Sequence, residues 1–371
     1  MFVAITNTPR DYAWGSTTAI PELLGTEHTG EPQAELWLGT HPGSPARLVE
    51  AAGDLREVVP DGLPFLLKVL AAASPLSLQA HPTLDQAREG FDRENAAGVP
   101  LDAPHRNYKD PLHKPELIVA VSDIFDALCG FRPVAETRAS LDRLGDSVAI
   151  DTLRDRLAGD AALRPVFEWL ITRGEGVDAV VQAVVDASAD LDGLEFETVR
   201  RLADAYPGDP GIVISLLLHS VRLTKGEALY LPAGNIHAYL DGLGIELMAA
   251  SDNVLRGGLT PKYIDVPELL SVLDFTPLPV PYLRPETTND GLRVFRPDVP
   301  DFVLVEYDGP FEATWKLTGP AIALCTSGEV SLVGATSSTQ LSRSHSVYLS
   351  ADEDTVRFSG DGTVFLASTA L

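Results

Sequence analysis

The sequence predicts a mainly β protein: one β domain interrupted by a helical insertion, then a second β domain. Three observations carry this. Residues 1 to about 134 contain strand-length apolar runs broken by glycine and proline. Residues 135–219 place apolar side chains three and four apart, the spacing of amphipathic helices. From 290 to 371, short alternating runs recur between turn signals about 8–12 residues apart, the pattern of a β-sandwich or barrel.

Taken in order, the runs Glu35–Gly39, Pro64–Leu70 and Leu76–His81 have strand length and strand flanks. Helices are predicted at Ala135–Leu144, Ala162–Thr172 and Val177–Ala187, with Pro207-Gly208-Asp209-Pro210-Gly211 as a turn between two helices. Strand character returns at Val221–Tyr230. Thr260-Pro261 offers an N-cap and a first-turn proline for a helix running to about Leu273. Residues 277–285 are proline-rich and read as a linker. The predicted division is therefore 1–134 plus 220–275 as one unit, 135–219 as the insertion, and 276–371 as the second β domain.

A chain of 371 residues is long enough for two or three cooperative units. No apolar run approaches the roughly 18 residues that span a bilayer, and the start lacks the basic region of a secretory signal. Cys129 and Cys325 stand far apart in apolar surroundings, which points to buried thiols and a reducing cytoplasm. The formal charge of −25 repels nucleic acid and anionic membranes, so neither is expected as a partner. In so acidic a chain, cations near an anionic substrate become informative by position.

Four segments can carry chemistry. In Pro75–Pro82, strand alternation puts Ser77, Gln79 and His81 on one face and Leu78 and Ala80 on the other. In His113–Ala120, Pro115 favours an extended approach, so Lys114 and Glu116 share a face at the edge of an apolar run. In Leu229–Met248, Asp241-Gly242 signals a two-residue hairpin that pairs Leu240 with Leu243 and sets His237 opposite Glu246. In Ser251–Lys262, Arg256 beside two glycines is open to a bidentate anion, with Asp252 nearby. Lys68 interrupts an apolar strand, and an ammonium buried there needs an anion. Two histidines, a glutamate and a glutamine suit Zn²⁺ with an open position, though Mn²⁺, Fe²⁺ or Co²⁺ also fit such donors.

The four segments, in this order and preceded by Tyr12-Ala13-Trp14-Gly15-Ser16, closely resemble type I mannose-6-phosphate isomerase, also called phosphomannose isomerase. The resemblance covers essentially the whole chain. It implies a cupin-type β-barrel or jelly-roll catalytic domain, the inserted α-helical domain and a second cupin-like β domain. It implies one zinc ion held by Gln79, His81, Glu116 and His237. It also implies active-site roles for Lys68, Lys114, Glu246, Asp252 and Arg256, with Ser77 and Lys262 as further substrate-binding candidates. The implied reaction interconverts mannose 6-phosphate and fructose 6-phosphate through a cis-enediolate, on the way to GDP-mannose, in a cytoplasmic monomer. For the general base Glu246 is the first choice, with Lys114 and Asp252 as alternatives. Two rival readings are a non-haem iron oxygenase using His81, Glu116 and His237, and a catalytically silent sugar-binding cupin.

Overall fold

In the computed structural model, which describes residues 1–370, the predicted class holds: the chain is mainly β with a helical insertion. The first stretch contains β1 (Phe2–Thr6), α1 (Ala19–Leu24), β2 (Glu35–Leu38), β3 (Arg47–Leu48) and β4 (Phe65–Ala72). It continues with β5 (Gln79–Ala80), α2 (Leu84–Ala96), β6 (Glu116–Ala120) and β7 (Ile124–Phe131). Thr83 and Gln86 cap α2 reciprocally, satisfying amide groups that a helix start leaves free. The insertion comprises α3 (Val134–Arg143), α4 (Val148–Arg156), α5 (Leu163–Ile171), α6 (Val177–Ala187), α7 (Leu194–Ala205) and α8 (Gly211–Ile214). Their apolar stripes pack together and onto Leu78, Ala80, Leu128, Ala238 and Leu240 from the sheet.

The chain then returns through β8 (Leu218–Thr224), β9 (Ala228–Leu231), β10 (His237–Ala249), β11 (Leu255–Arg256) and α9 (Val266–Val272). The last part holds β12 (Glu286–Thr287), β13 (Arg293–Phe295), β14 (Val303–Asp308), β15 (Phe311–Lys316) and β16 (Ala321–Val333). It ends with β17 (Ser338–Ser342), β18 (Ser346–Leu349) and β19 (Thr355–Ser368). Among the described residues, β2 and β4–β11 form one antiparallel sheet system, and β1, β3 and β12–β19 form another. Phe2–Thr6 thus pairs with β18 of the C-terminal sheet, Phe2 opposite Leu349.

Two expectations are corrected. Asp241-Gly242 is not a hairpin turn: β10 runs unbroken for 13 residues from His237 to Ala249. Its first half pairs with β5 and β7, its second with β4 and β6, and the register against β7 shifts between Tyr239 and Asp241. The Asp-Gly signal is used for an irregularity where the strand passes from one set of neighbours to the other. Gly242 has φ 121°, and a Cβ there would sit 2.8 Å from the Ile124 carbonyl and Phe125 Cα. Leu240 and Leu243 are therefore not partners, and Glu246 faces Lys68, not His237. Thr260-Pro261 likewise starts no helix. Helix α9 begins at Val266, where Asp265 accepts from the Glu268 amide and Pro267 occupies the first turn.

Alternation along the strands sorts the core. Leu67 and Val69 of β4, Leu117 and Val119 of β6, and Ile245 and Leu247 of β10 pack toward Phe295, Leu304, Ile322 and Phe365 of the C-terminal sheet. Their neighbours Lys68, Glu116 and Glu246 therefore point to the opposite face. That is why three buried charges meet.

Candidate metal centre and anion cavity

His81, Glu116 and His237 are buried, and one donor atom from each lies within 4.8 Å of the others. They come from the end of β5, the start of β6 and the start of β10. The Nδ1 of His81 lies 2.7 Å from the Asn253 carbonyl, and that of His237 lies 3.0 Å from the Asn235 carbonyl. A carbonyl only accepts, so each Nδ1 carries the proton and each Nε2 presents a lone pair. Those two lone pairs face one carboxylate: His81 Nε2 is 3.2 Å from Glu116 Oε1, and His237 Nε2 is 3.2 Å from Oε2.

Burial pushes the His81 pKa down to about 4, so it stays neutral. Burial opposes the Glu116 charge, but Lys114, then His81, hold its pKa well below the ordinary value. The result is three acceptors converging without a proton between them, and His81 Nε2 has no hydrogen-bond partner. That arrangement suits a cation, and neutral imidazoles oriented by backbone carbonyls are what a divalent metal requires. The Gln79 amide adds a fourth group: its nitrogen lies 3.3 Å from His237 Nε2, and a half-turn of the amide would offer oxygen instead.

Beside this cluster opens a cavity of about 610 Å³. Lys68, Ser77, Gln79, Lys114, Asp252, Arg256 and Lys262 line it, whereas Glu246 does not. Lys68 is buried, with Nζ 2.9 Å from Glu246 and 3.5 Å from Glu35, and 5.0 Å from the Trp37 ring centroid. Burial works to lower the Lys68 pKa, but Glu246, Glu35 and Glu116 together raise it. Burial raises that of Glu246 in spite of Lys68. Lys114 Nζ lies 2.8 Å from Glu116.

Arg256 differs. It is half-buried, and no carboxylate among the described residues pairs with it. Burial lowers its pKa, and Arg256 in turn lowers that of Lys262. Two cations repelling each other at a cavity wall form a ready anion site.

The sequence reading grouped Gln79, His81, Glu116 and His237, of which His81, Glu116 and His237 lie within 4.8 Å of one another and the Gln79 amide lies beside His237. It missed Glu35, Trp37 and His41. Trp37 donates from Nε1 to Glu35 at 2.9 Å, and His41 Nε2 lies 3.3 Å from Asp252 Oδ2. The one available signal was Glu35-Leu36-Trp37 itself, two polar-tipped side chains alternating along an otherwise apolar strand. His113 lies outside the cavity lining and pairs with Asp301, 3.0 Å away.

The chain is similar to known proteins over nearly its whole length. The family model described as phosphomannose isomerase type I, catalytic domain, matches residues 2–134. The chain is 38% identical over 378 residues to mannose-6-phosphate isomerase of Escherichia coli (strain K12), covering 96% of each. It is 31% identical over 402 residues to the Homo sapiens protein of the same name, covering 93% of this chain and 92% of that one. A crystal structure of mannose 6-phosphate isomerase from Salmonella typhimurium, bound to its substrate fructose 6-phosphate and zinc, superposes with a TM-score of 0.91. It is 36% identical, with both chains fully covered.

Proposed function

The chain belongs to the mannose-6-phosphate isomerase family, and from that premise we propose that it interconverts mannose 6-phosphate and fructose 6-phosphate through a cis-enediolate. The observation that carries this reading is the convergence of two imidazole lone pairs and one carboxylate beside an anion-ready cavity. Those donors fit zinc, the metal in the Salmonella structure, and we assign His81, Glu116, His237 and Gln79 as its ligands. When bound, the metal supplies Lewis-acid stabilisation of the oxyanion that develops on the sugar. A two-histidine, one-carboxylate iron centre is disfavoured by the fourth donor and by the cations around it.

The remaining roles follow from position. Arg256 and Lys262 hold the phosphate, because an unpaired guanidinium beside an ammonium gains most from a dianion. Ser77 donates to or accepts from the sugar hydroxyls. Lys68 presents a positive charge to the open-chain sugar, and Glu246 and Glu35 keep that charge in place. The hairpin that favoured Glu246 as general base is absent, and Glu246 is paired with Lys68 and does not line the cavity. We therefore assign C2-to-C1 proton transfer to a carrier at the wall, Asp252 or Lys114. The reading divides the chain as 1–134 with 220–275, 135–219, and 276–371, with β1 and β3 lent to the last. It places the enzyme as a cytoplasmic monomer. No described helix is long and apolar enough to cross a membrane.

The test joins metal analysis to a coupled isomerase assay on mannose 6-phosphate, with solvent-proton exchange at C2. Stoichiometric zinc and exchange that survives in Glu246→Gln but is lost in Asp252→Asn or Lys114→Met support the assignment. Turnover by a metal-free enzyme would overturn it.

A further inference from the structure

His41 is buried just beyond β2, and its two ring nitrogens have different partners. The Gly43 amide donates to Nδ1 at 3.1 Å, so Nδ1 is an acceptor and the proton sits on Nε2. Nε2 in turn lies 3.3 Å from Asp252 Oδ2. The ring stands edge-on to Trp37, centroids 5.0 Å apart and planes at 88°, a contact that favours this orientation. Gly43 packs closely on the pair: a Cβ there would lie 3.2 Å from His41 Nδ1 and 3.3 Å from the Trp37 ring, so a larger residue would have to push one of them aside. Loop, glycine and tryptophan together hold one tautomer of one histidine against one carboxylate.

Other charged groups face Asp252 as well. Asp110 accepts from its backbone amide at 2.9 Å, and the Lys114 and Lys68 ammoniums act on its side chain. Burial raises the Asp252 pKa, but the hydrogen bond from His41, then Lys114 and Lys68, bring it below the ordinary value. Asp252 also lines the same cavity as Arg256 and Lys262. A carboxylate repels phosphate and accepts from hydroxyls, so its placement sorts the two ends of a sugar phosphate.

We propose that His41 is a positioning residue: its Nε2–H tautomer, fixed by Gly43 and Trp37, aims the ionised Asp252 carboxylate at the hydroxyl end of the substrate. The role in turnover rests on the isomerase reading above; the histidine–aspartate pairing does not.

Three substitutions separate positioning from packing. Glutamine carries an amide nitrogen where Nε2 lies, asparagine reaches only the Nδ1 position, and phenylalanine has no donor. His41→Phe and His41→Asn should each lose about 10–100-fold in kcat/KM, the usual range when a functional side chain loses its outer partner. His41→Gln should stay within about threefold of the parent. The acid limb of the kcat/KM profile should move to higher pH in the phenylalanine and asparagine variants and stay put in the glutamine variant. His41→Phe with Asp252→Asn should cost no more than Asp252→Asn alone. Glutamine no better than phenylalanine, an unmoved acid limb, or losses that multiply would each overturn the role.

A second measurement needs no turnover. In ¹⁵N-histidine NMR of the zinc-loaded parent, His41 should show a protonated Nε2 and a bare Nδ1, and its Nε2 signal should shift in Asp252→Asn. A protonated Nδ1 sinks the proposal whatever the activity. A parent with the expected spectrum but no isomerase activity sinks the isomerase reading and leaves the pairing standing.

Discussion

Replacing Lys68 with methionine tests the buried charge arrangement most directly. Lys68 and Glu246 are each more than nine-tenths buried and 2.9 Å apart. At an effective dielectric of about 20, the Coulomb attraction at that distance is roughly 6 kcal/mol before desolvation is counted. Breaking a buried pair by removing one partner costs about 3–5 kcal/mol. The variant has an escape: Glu246 takes up a proton. Its folded pKa already lies above the ordinary 4.5, with burial the leading cause, and losing the ammonium raises it further. A carboxyl whose folded pKa is raised binds more protons in the folded state, so its contribution is present at low pH and lost as pH climbs through that pKa. The stability gap between variant and parent should therefore widen as pH rises, by up to about 1.4 kcal/mol per pH unit, toward roughly 3–5 kcal/mol. Urea titrations at pH 6 and pH 8 with zinc held constant measure this. Adding Glu246→Gln should recover most of the loss at pH 8, since Glu35 keeps its bond from Trp37. A gap of equal size at both pH values would refute the reasoning.

Three further outcomes are expected. His81→Ala should lose bound zinc and activity together, read by elemental analysis and the coupled assay; an active, metal-depleted protein would contradict the ligand assignment. Arg256→Lys should raise KM for mannose 6-phosphate about tenfold, a loss of about 1.4 kcal/mol, because an ammonium cannot grip phosphate with two parallel bonds. An unchanged preference for phosphorylated over plain mannose would count against a phosphate role. Gly90→Ala should cost about 1–3 kcal/mol, because its Cβ would lie 2.3 Å from the ring of fully buried Tyr108, whose hydroxyl donates to Glu268. A thermal midpoint within a degree of the parent would show that this ring can yield.

The parts of the fold that sequence revealed are those governed by local pattern. Val177–Ala187 is a helix with the boundaries its apolar spacing predicts, and the alternation of Leu78 and Ala80 against Ser77, Gln79 and His81 reproduces the burial of the two apolar residues. Misreadings arose where one local signal has two structural uses. Asp-Gly serves a tight turn or a strand irregularity, and only the non-local pairing of β10 with β4–β7 decides which. Thr-Pro at 260 and Asp-Val-Pro-Glu at 265 both resemble helix starts. The second also supplies a glutamate that accepts from Tyr108 and an aspartate that accepts from Asn107, so tertiary contacts favour it. His41 was invisible for a related reason: its partner lies 211 residues away, and nothing around either residue announces the other.

The pairing of Phe2–Thr6 with Ser346–Leu349 has a consequence for synthesis. Nearly 350 residues separate the two strands, so at about 5–20 residues per second a ribosome needs on the order of 20–70 s to deliver the second after the first. Throughout that interval β1 has only its short pairing with β3 available, while the chain between can already collapse. Completion of the sheet around Phe2–Thr6 must therefore wait until Ser346–Leu349 has left the ribosome, later than the folding of the elements made between them.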